Sequence, residues 1–402
     1  MAVACIVMQA GLGTAYAWSV FRNPIAERFG WSLAEVSLTF SAMILTAGFG
    51  AYAGGVWLER AGPRRVAVTS GLLYGSGIVL AGLLGERLAL LYLTYGVLAG
   101  AGLGVGYIVP IATLVRWFPD RRGLVTGVAV SSFAVGALAA TPLDARLVDE
   151  VGPLDALVVL GGVVLVVITT AGSFLRSPAD EVGTEQAFDG GHELSPREAL
   201  RTWRWWALWA IFFLSVTTGM GFVAEATPMA EELAGTQAVT ASGLVGLLFV
   251  ADAAGRLLVP WASDTVGRRT VLVTIFLGQA ATLATLTQAS SPLAFGVLGA
   301  LVVFLYGGSS GTMPALVADS FGTRTVGPVY GPMLTAWGLG GVLGPMVLAG
   351  LRESTGSYES GLLTISLVML AGVALSLIAL YPRGRMSASR SPPATRSPRR
   401  SR

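Results

Sequence analysis

Residues 243–264 read GLVGLLFVADAAGRLLVPWASD. The stretch is apolar throughout, except for Asp252 and Arg256 near its middle and Asp264 at its close. A helix of about 20 apolar residues crosses a bilayer core, and this stretch is long enough. In that helix the i, i+4 spacing puts Asp252 and Arg256 on one face. Ionisable groups at membrane depth are costly, so the pair reads first as a functional site. The bland alternative is an inert ion pair holding helices together, but buried pairs stabilise poorly.

The rest of the chain has the same character. Its 402 residues are 53% hydrophobic and 12% charged, which is the composition of a membrane protein. The mean hydropathy is +0.69. Cys5 is the single cysteine and sits in the first apolar run, so disulfides play no part. His192 is the single histidine and falls in a polar loop, which excludes a histidine proton relay or a multi-histidine metal site. Every basic residue is an arginine. The net charge of +3 is small and unevenly spread, and gives no reason to expect nucleic acid as a partner.

Twelve apolar runs are long enough to span: 2–21, 32–58, 66–84, 88–115, 123–143, 154–175, 204–224, 238–262, 270–289, 293–318, 326–350 and 360–381. The first lacks a basic leading region and many more follow, so no cleaved signal peptide is expected. With the N-terminus inside, 20 arginines fall on inside segments and 5 on outside ones, and Arg256 is the remaining one. That bias predicts a multi-pass protein of the cell membrane with both termini cytoplasmic.

The segment 176–203 is the long polar connection between spans, and it divides 1–175 from 204–381. Residues 382–402 are rich in Arg, Ser and Pro and read as a disordered basic tail. The two halves repeat. Pro24 and Pro228, Pro110 and Pro314, and Gly127 and Gly331 are each 204 residues apart. Such an offset marks an internal duplication, and the expected fold is all-α, with two pseudo-symmetric six-helix bundles. The glycines at 100, 102, 104 and 106 follow no strand and lie in an apolar span, so they are not a nucleotide loop. They permit close helix packing instead.

Several motifs now carry a resemblance. The pattern G-x-x-x-(D/E)-x-x-G-x-R runs from Gly55 to Arg64 after the second span, and a degenerate copy starting at Pro260 follows the eighth. In these positions it resembles the signature of the major facilitator superfamily. A narrower resemblance is to the branch of monocarboxylate transporters and oxalate/formate antiporters. It rests on Gly13 to Phe21, Arg116 to Leu124, Thr312 to Leu316 with Asp319 to Gly322, and Tyr330-Gly331 with Leu334 to Gly338. It covers residues 1–381. In monocarboxylate carriers of that branch an Asp-x-x-x-Arg pair on the eighth span binds and couples, and Asp252 and Arg256 match it. Oxalate-specific members carry a lysine where this chain has Trp337, and animal monocarboxylate carriers carry one on the first span. This chain has neither, which leaves Arg256 as the sole deep cation.

The chemistry also follows from charge alone. The Asp252–Arg256 pair is neutral. Admitting one carboxylate leaves an excess negative charge, which costs several kcal/mol in a low dielectric. Protonating Asp252 removes the excess. The empty and the fully loaded site are then both neutral, as electroneutral proton/monocarboxylate symport requires. Arginine suits the anion because it stays charged when desolvated and presents a bidentate fork. Tyr16, Tyr107, Tyr306, Tyr330 and Trp337 are candidate cavity walls, with ordinary packing as the alternative. Glu59, Arg64 and Arg65, with Asp264, Arg268 and Arg269, lie at helix ends, where they can latch one side shut or simply anchor topology.

Carboxylate exchange without protonation and a non-transporting sensor remain open as competing readings. An enzyme is not expected, since no nucleophile–base pair or metal cluster is legible. The expected partners are a small monocarboxylate anion, a proton and the lipid bilayer. No cofactor is expected, and a monomer is expected to suffice.

Overall fold

The structure, a computed structural model, describes residues 1–178, 195–235, 238–323 and 326–380, and it is helical throughout apart from short turns. The first helix, α1, runs Ala2–Phe29. One 52-residue run, Leu33–Leu84, contains α2 (33–61) and α3 (63–84). Next come α4 (Leu88–Trp117), α5 (Arg122–Val151) and α6 (Pro153–Ser173). A short helix, Pro196–Arg201, precedes the second half. That half holds α7 (Trp203–Ala234), α8 (Ala238–Val266) and α9 (Arg268–Leu286). It closes with α10 (Pro292–Phe321), α11 (Val326–Thr355) and α12 (Tyr358–Ala379). Residues 179–194 of the expected linker, including His192, lie outside the described residues, and so does the tail 382–402.

Among the described residues, ten helical stretches are long and apolar enough to cross a membrane. Dividing Leu33–Leu84 and adding the 29-residue α8 gives the twelve helices expected from the apolar runs. The division falls at Gly62, with φ 74° and ψ 165°, followed directly by Pro63. A side chain at that φ would clash with the backbone, so glycine ends α2, and proline starts α3, where a missing N–H costs nothing. Gly267, with φ 95°, makes the equivalent break between α8 and α9. Several helices outrun their apolar stretch. The first extends to Phe29 rather than 21, and the fifth to Val151 rather than 143. Hydropathy registers only the hydrocarbon-facing part, and the polar continuations fall outside its reach.

The first six helices pair as α1 with α5, α2 with α4, and α3 with α6. The last six repeat this as α7 with α11, α8 with α10, and α9 with α12. The halves meet along α2 with α11 and along α5 with α8. These seams depend on the repeated glycines. A Cβ on Gly331 would stand 2.5 Å from the Ala51 carbonyl of α2. One on Gly127 would stand 3.0 Å from the Arg256 and Leu257 carbonyls of α8. Backbone-to-backbone approach of this kind replaces hydrophobic driving force between membrane helices. It also fixes the backbone of Arg256 directly on the seam.

Candidate functional site

Asp252 and Arg256 sit one turn apart on α8, 5% and 2% exposed. Arg256 Nε donates to Asp252 Oδ2 at 2.8 Å. The Arg256 Cζ stands 5.6 Å from the Tyr306 ring centroid, with α10 supplying a π face to the cation. Gly255 and Gly307 let α8 and α10 close on each other here, and Gly307 would strike Asp252 if it carried a Cβ.

The first half completes the enclosure. Tyr107 of α4 and Trp337 of α11 stack across the seam with centroids 6.0 Å apart and planes 15° from parallel. Phe133 of α5 meets Tyr107 and Tyr16 edge-on at 5.5 and 5.1 Å, and Phe40 of α2 lies 6.1 Å from Tyr16. Tyr16, Tyr107 and Tyr306 are all within electrostatic reach of both Arg256 and Asp252. Tyr330 is set further back against Phe212 of α7, within reach of Arg256. Ser131 of α5 donates to the Ala253 carbonyl at 3.1 Å, a direct bond between the halves beside the pair.

What remains unpaired defines the chemistry. Asp252 Oδ1, Arg256 Nη2, Tyr306 OH and Tyr16 OH are all buried without a hydrogen-bond partner. Native structures leave few buried polar atoms unsatisfied, each costing about 1–3 kcal/mol. Four in one enclosure point to a group that arrives from outside. Three of them are donors, and one of those is cationic, an arrangement that an anion with several acceptor oxygens would satisfy. The fourth, Asp252 Oδ1, has a free lone pair for a proton.

The expected gating residues divide. At the face carrying the N-terminus, Asp264 accepts from the Gly123 and Leu124 amides at 3.0 and 3.1 Å. A carboxylate from the second half thus caps the start of α5, where N–H groups lack partners and the helix dipole favours a negative charge. Arg268 binds Asp264 at 2.6 Å and Asp319 at 2.9 Å, and Arg122 of α5 binds Asp319 at 2.8 Å. Arg268 also bonds the Ser263 hydroxyl. Arg269 is half-buried beside it. Glu59 faces Arg116 and Arg60 of its own half. Arg64 and Arg65 are exposed. The second-half copy of the motif therefore bridges the halves, and among the described residues Glu59, Arg64 and Arg65 form no ion pair.

Removing the doubly bonded carboxylate should loosen this bridge. In Asp319→Asn, an impermeant thiol reagent applied to that face should label Ser131→Cys, in a Cys5→Ser background, about two- to fivefold faster. That is the equivalent of about 0.5–1 kcal/mol for half-exposed pairs. Unchanged labelling would mean the bridge does not hold that face closed.

Phe40, Phe133, Ser131 and Asp319 went unassigned in the sequence. Two phenylalanines in apolar runs carry no signal. Asp319 did carry one: a carboxylate ending a span within the Asp319–Gly322 motif, opposite arginine-rich turns.

With the geometry in place, comparison with known proteins gives the lineage. The model of the Major Facilitator Superfamily matches residues 3–345 and 221–401. The chain belongs to the Major Facilitator Superfamily. The oxalate:formate antiporter of Oxalobacter formigenes is 28% identical over 362 residues, covering 88% of this chain and 86% of that one. Monocarboxylate transporter 13 of Rattus norvegicus is 26% identical over 369 residues, covering 90% and 83%. The E. coli fucose:proton symporter FucP superposes with a TM-score of 0.73 at 14% identity, covering 94% and 98%. At that identity the superposition speaks for the fold alone. As a superfamily member the protein is a multi-pass membrane transporter, not an enzyme.

Proposed function

We propose that the protein is a proton-coupled symporter of a small monocarboxylate that works by alternating access. The carrying observation is the buried Asp252–Arg256 pair, with one oxygen and one nitrogen left unsatisfied beside two unsatisfied phenols. Arg256 Nη2 and the Tyr16 and Tyr306 hydroxyls bind the carboxylate. Asp252 takes the proton that restores neutrality. Tyr107 and Trp337 close over the site from opposite halves, so rocking the halves about the seam breaks and remakes the enclosure. One deep cation fits a monoanion; a dianion would need a second. The monocarboxylate transporter among the relatives agrees with this class.

The face closed by Asp264, Arg268, Asp319 and Arg122 is then the cytoplasmic one, from the arginine bias, and the membrane is the cell membrane. A reporter fused after Leu380 should read out in the cytoplasm, and an extracellular signal would reverse the assignment.

Exchange of one carboxylate for another is the second reading, favoured by the antiporter relative. Proteoliposomes given a panel of labelled acids, with and without an imposed pH gradient, separate the two. Symport predicts that an inward proton gradient drives accumulation into vesicles holding no acid. Uptake that always requires internal acid and ignores the gradient would favour exchange.

A further inference from the structure

A second carboxylate lies buried far from the central pair. Asp144 is in α5, seven residues and about 10 Å from its distal end. It is 2% exposed, and its Oδ2 is buried with no hydrogen-bond partner. Among the described residues it forms no ion pair. The titratable groups facing it are two phenols, Tyr74 of α3 and Tyr95 of α4. Tyr95 lies against Trp18 of α1 with centroids 4.4 Å apart, and the Trp18 indole N–H is also buried without a partner. The Tyr74 hydroxyl shares a hydrogen bond with Thr14 of α1 at 3.0 Å. The charged side chains at the distal ends of these helices are exposed: Arg22, Glu27 and Arg28 of α1, Glu35 of α2, Glu86 and Arg87 between α3 and α4, Arg146, Asp149 and Glu150 of α5, and Asp155 of α6.

Three helices are irregular around this carboxylate. In α1, residues Thr14–Ala17 tighten to a 3₁₀ turn directly before Trp18. In α4, residues Tyr92–Ala99 widen to a π-helix that contains Tyr95. In α5, Pro142 stands two residues before Asp144 and leaves the Leu138 carbonyl without its helical donor. Mid-helix 3₁₀ and π turns gather at hinges and functional sites, since they weaken the local hydrogen-bond ladder. An ionised carboxylate without a counter-charge would be prohibitive in this enclosure, whereas a neutral one is tolerated. Packing alone therefore does not explain why the chain places an acid here, where α1, α4 and α5 all depart from regular helix.

We propose that Asp144 is a second proton-binding site, filled from the distal aqueous phase and required to be neutral for the distal half of the first bundle to close. When that half opens, water reaches Oδ2 and the carboxylate equilibrates with the medium. A proton from hydronium passes to Oδ2, water is left behind, and the neutral acid is buried again on closure. While it is ionised, the bundle stays open. The site thus makes turnover sensitive to pH on the distal side, independently of the proton that travels with substrate on Asp252. The infrared test below needs no transport and no identified substrate. Only the exchange test rests on the carrier reading.

Infrared difference spectra between acid and alkaline pH, taken on purified protein in lipid, should show a protonated-carboxyl band. Asp144→Asn should lose one component of that band, and Asp252→Asn should keep that component. A spectrum of Asp144→Asn identical to wild type overturns the proposal, whatever transport shows. In proteoliposomes, equilibrium exchange of a carried acid should be measured at fixed internal pH and varied distal pH. Above the Asp144 midpoint wild type should slow by up to about tenfold more per pH unit than Asp144→Asn, which keeps only the pH dependence that Asp252 supplies. The two rates should converge at acid pH. A constant ratio of the two rates at every distal pH overturns the proposal. Should no acid be exchanged at all, the carrier reading fails, and the carboxyl band still decides Asp144.

Discussion

Arg256→Gln is expected to lose substrate binding by at least about 30-fold, and Arg256→Ala and Arg256→Lys are expected to fare no better. Removing one partner of a buried, hydrogen-bonded charge pair costs about 2–5 kcal/mol, or roughly 30-fold to several thousandfold in affinity. Lysine keeps the charge but loses the fork. In the structure Nε is already committed to Asp252 Oδ2 while Nη2 is unsatisfied, so a single guanidinium holds the acid with one nitrogen and presents another. An ammonium has no second nitrogen to offer, and it would also lose the planar face set against the Tyr306 ring. The protein should still accumulate in the membrane. Losing the arginine leaves Asp252 buried without its cation, but protonation discharges it at far lower cost than an uncompensated ion. The measurement is equilibrium binding of the best-transported labelled acid to purified protein, with size-exclusion behaviour as the folding control. Wild-type affinity in a monodisperse Arg256→Gln would remove the residue from the site.

The same geometry shows which parts of the site the sequence could reveal. Asp252 and Arg256 stood out because charge within an apolar run has few innocent explanations, and the i, i+4 spacing already placed them in contact. The twelve-helix fold was legible for a related reason. Hydrocarbon admits only helices or closed barrels, so length and apolarity of each run leave little freedom. Residues contributed from the other half were harder to see. Phe133 touches both Tyr16 and Tyr107, yet as a phenylalanine in an apolar span it looks like every neighbour facing lipid. Its position follows from the α5–α8 seam, which depends on where Gly127 lets two backbones meet. Asp144 escaped because hydropathy ended its run at residue 143, whereas the helix continues to Val151 and carries the carboxylate into the interior. Both copies of the gating motif, the second one degenerate, carry the same expected role. The structure makes them unequal: Asp264 reaches across to the α5 amides, while Glu59 faces arginines of its own half.

Asp252→Asn is expected to abolish pH-driven accumulation while carboxylate exchange persists, and this result separates the two transport readings. The asparagine mimics the protonated acid in shape and charge. Bound substrate then leaves the site neutral, with Arg256 paired to the carboxylate, so the loaded carrier still crosses. The empty carrier instead holds Arg256 with no anion within reach, since Nε has lost its 2.8 Å partner. Reorienting that lone buried cation costs several kcal/mol, which slows the empty return by about a hundredfold or more. Net uptake needs the empty return at every cycle, whereas exchange never does. The coupling is reciprocal. A carboxylate bound to Nη2 diverts part of the arginine's field from Asp252 and so favours the proton, and the proton in turn favours the carboxylate by the same factor. Symport in the wild type should therefore show substrate affinity rising as pH falls, and Asp252→Asn should show affinity independent of pH. The check is paired: accumulation into acid-free vesicles under an inward proton gradient, and counterflow into acid-loaded vesicles without one. If Asp252→Asn still accumulates substrate against its gradient at the wild-type rate, another group carries the proton. If wild type itself shows only counterflow, Asp252 serves to hold Arg256 in place, and the protein is an exchanger.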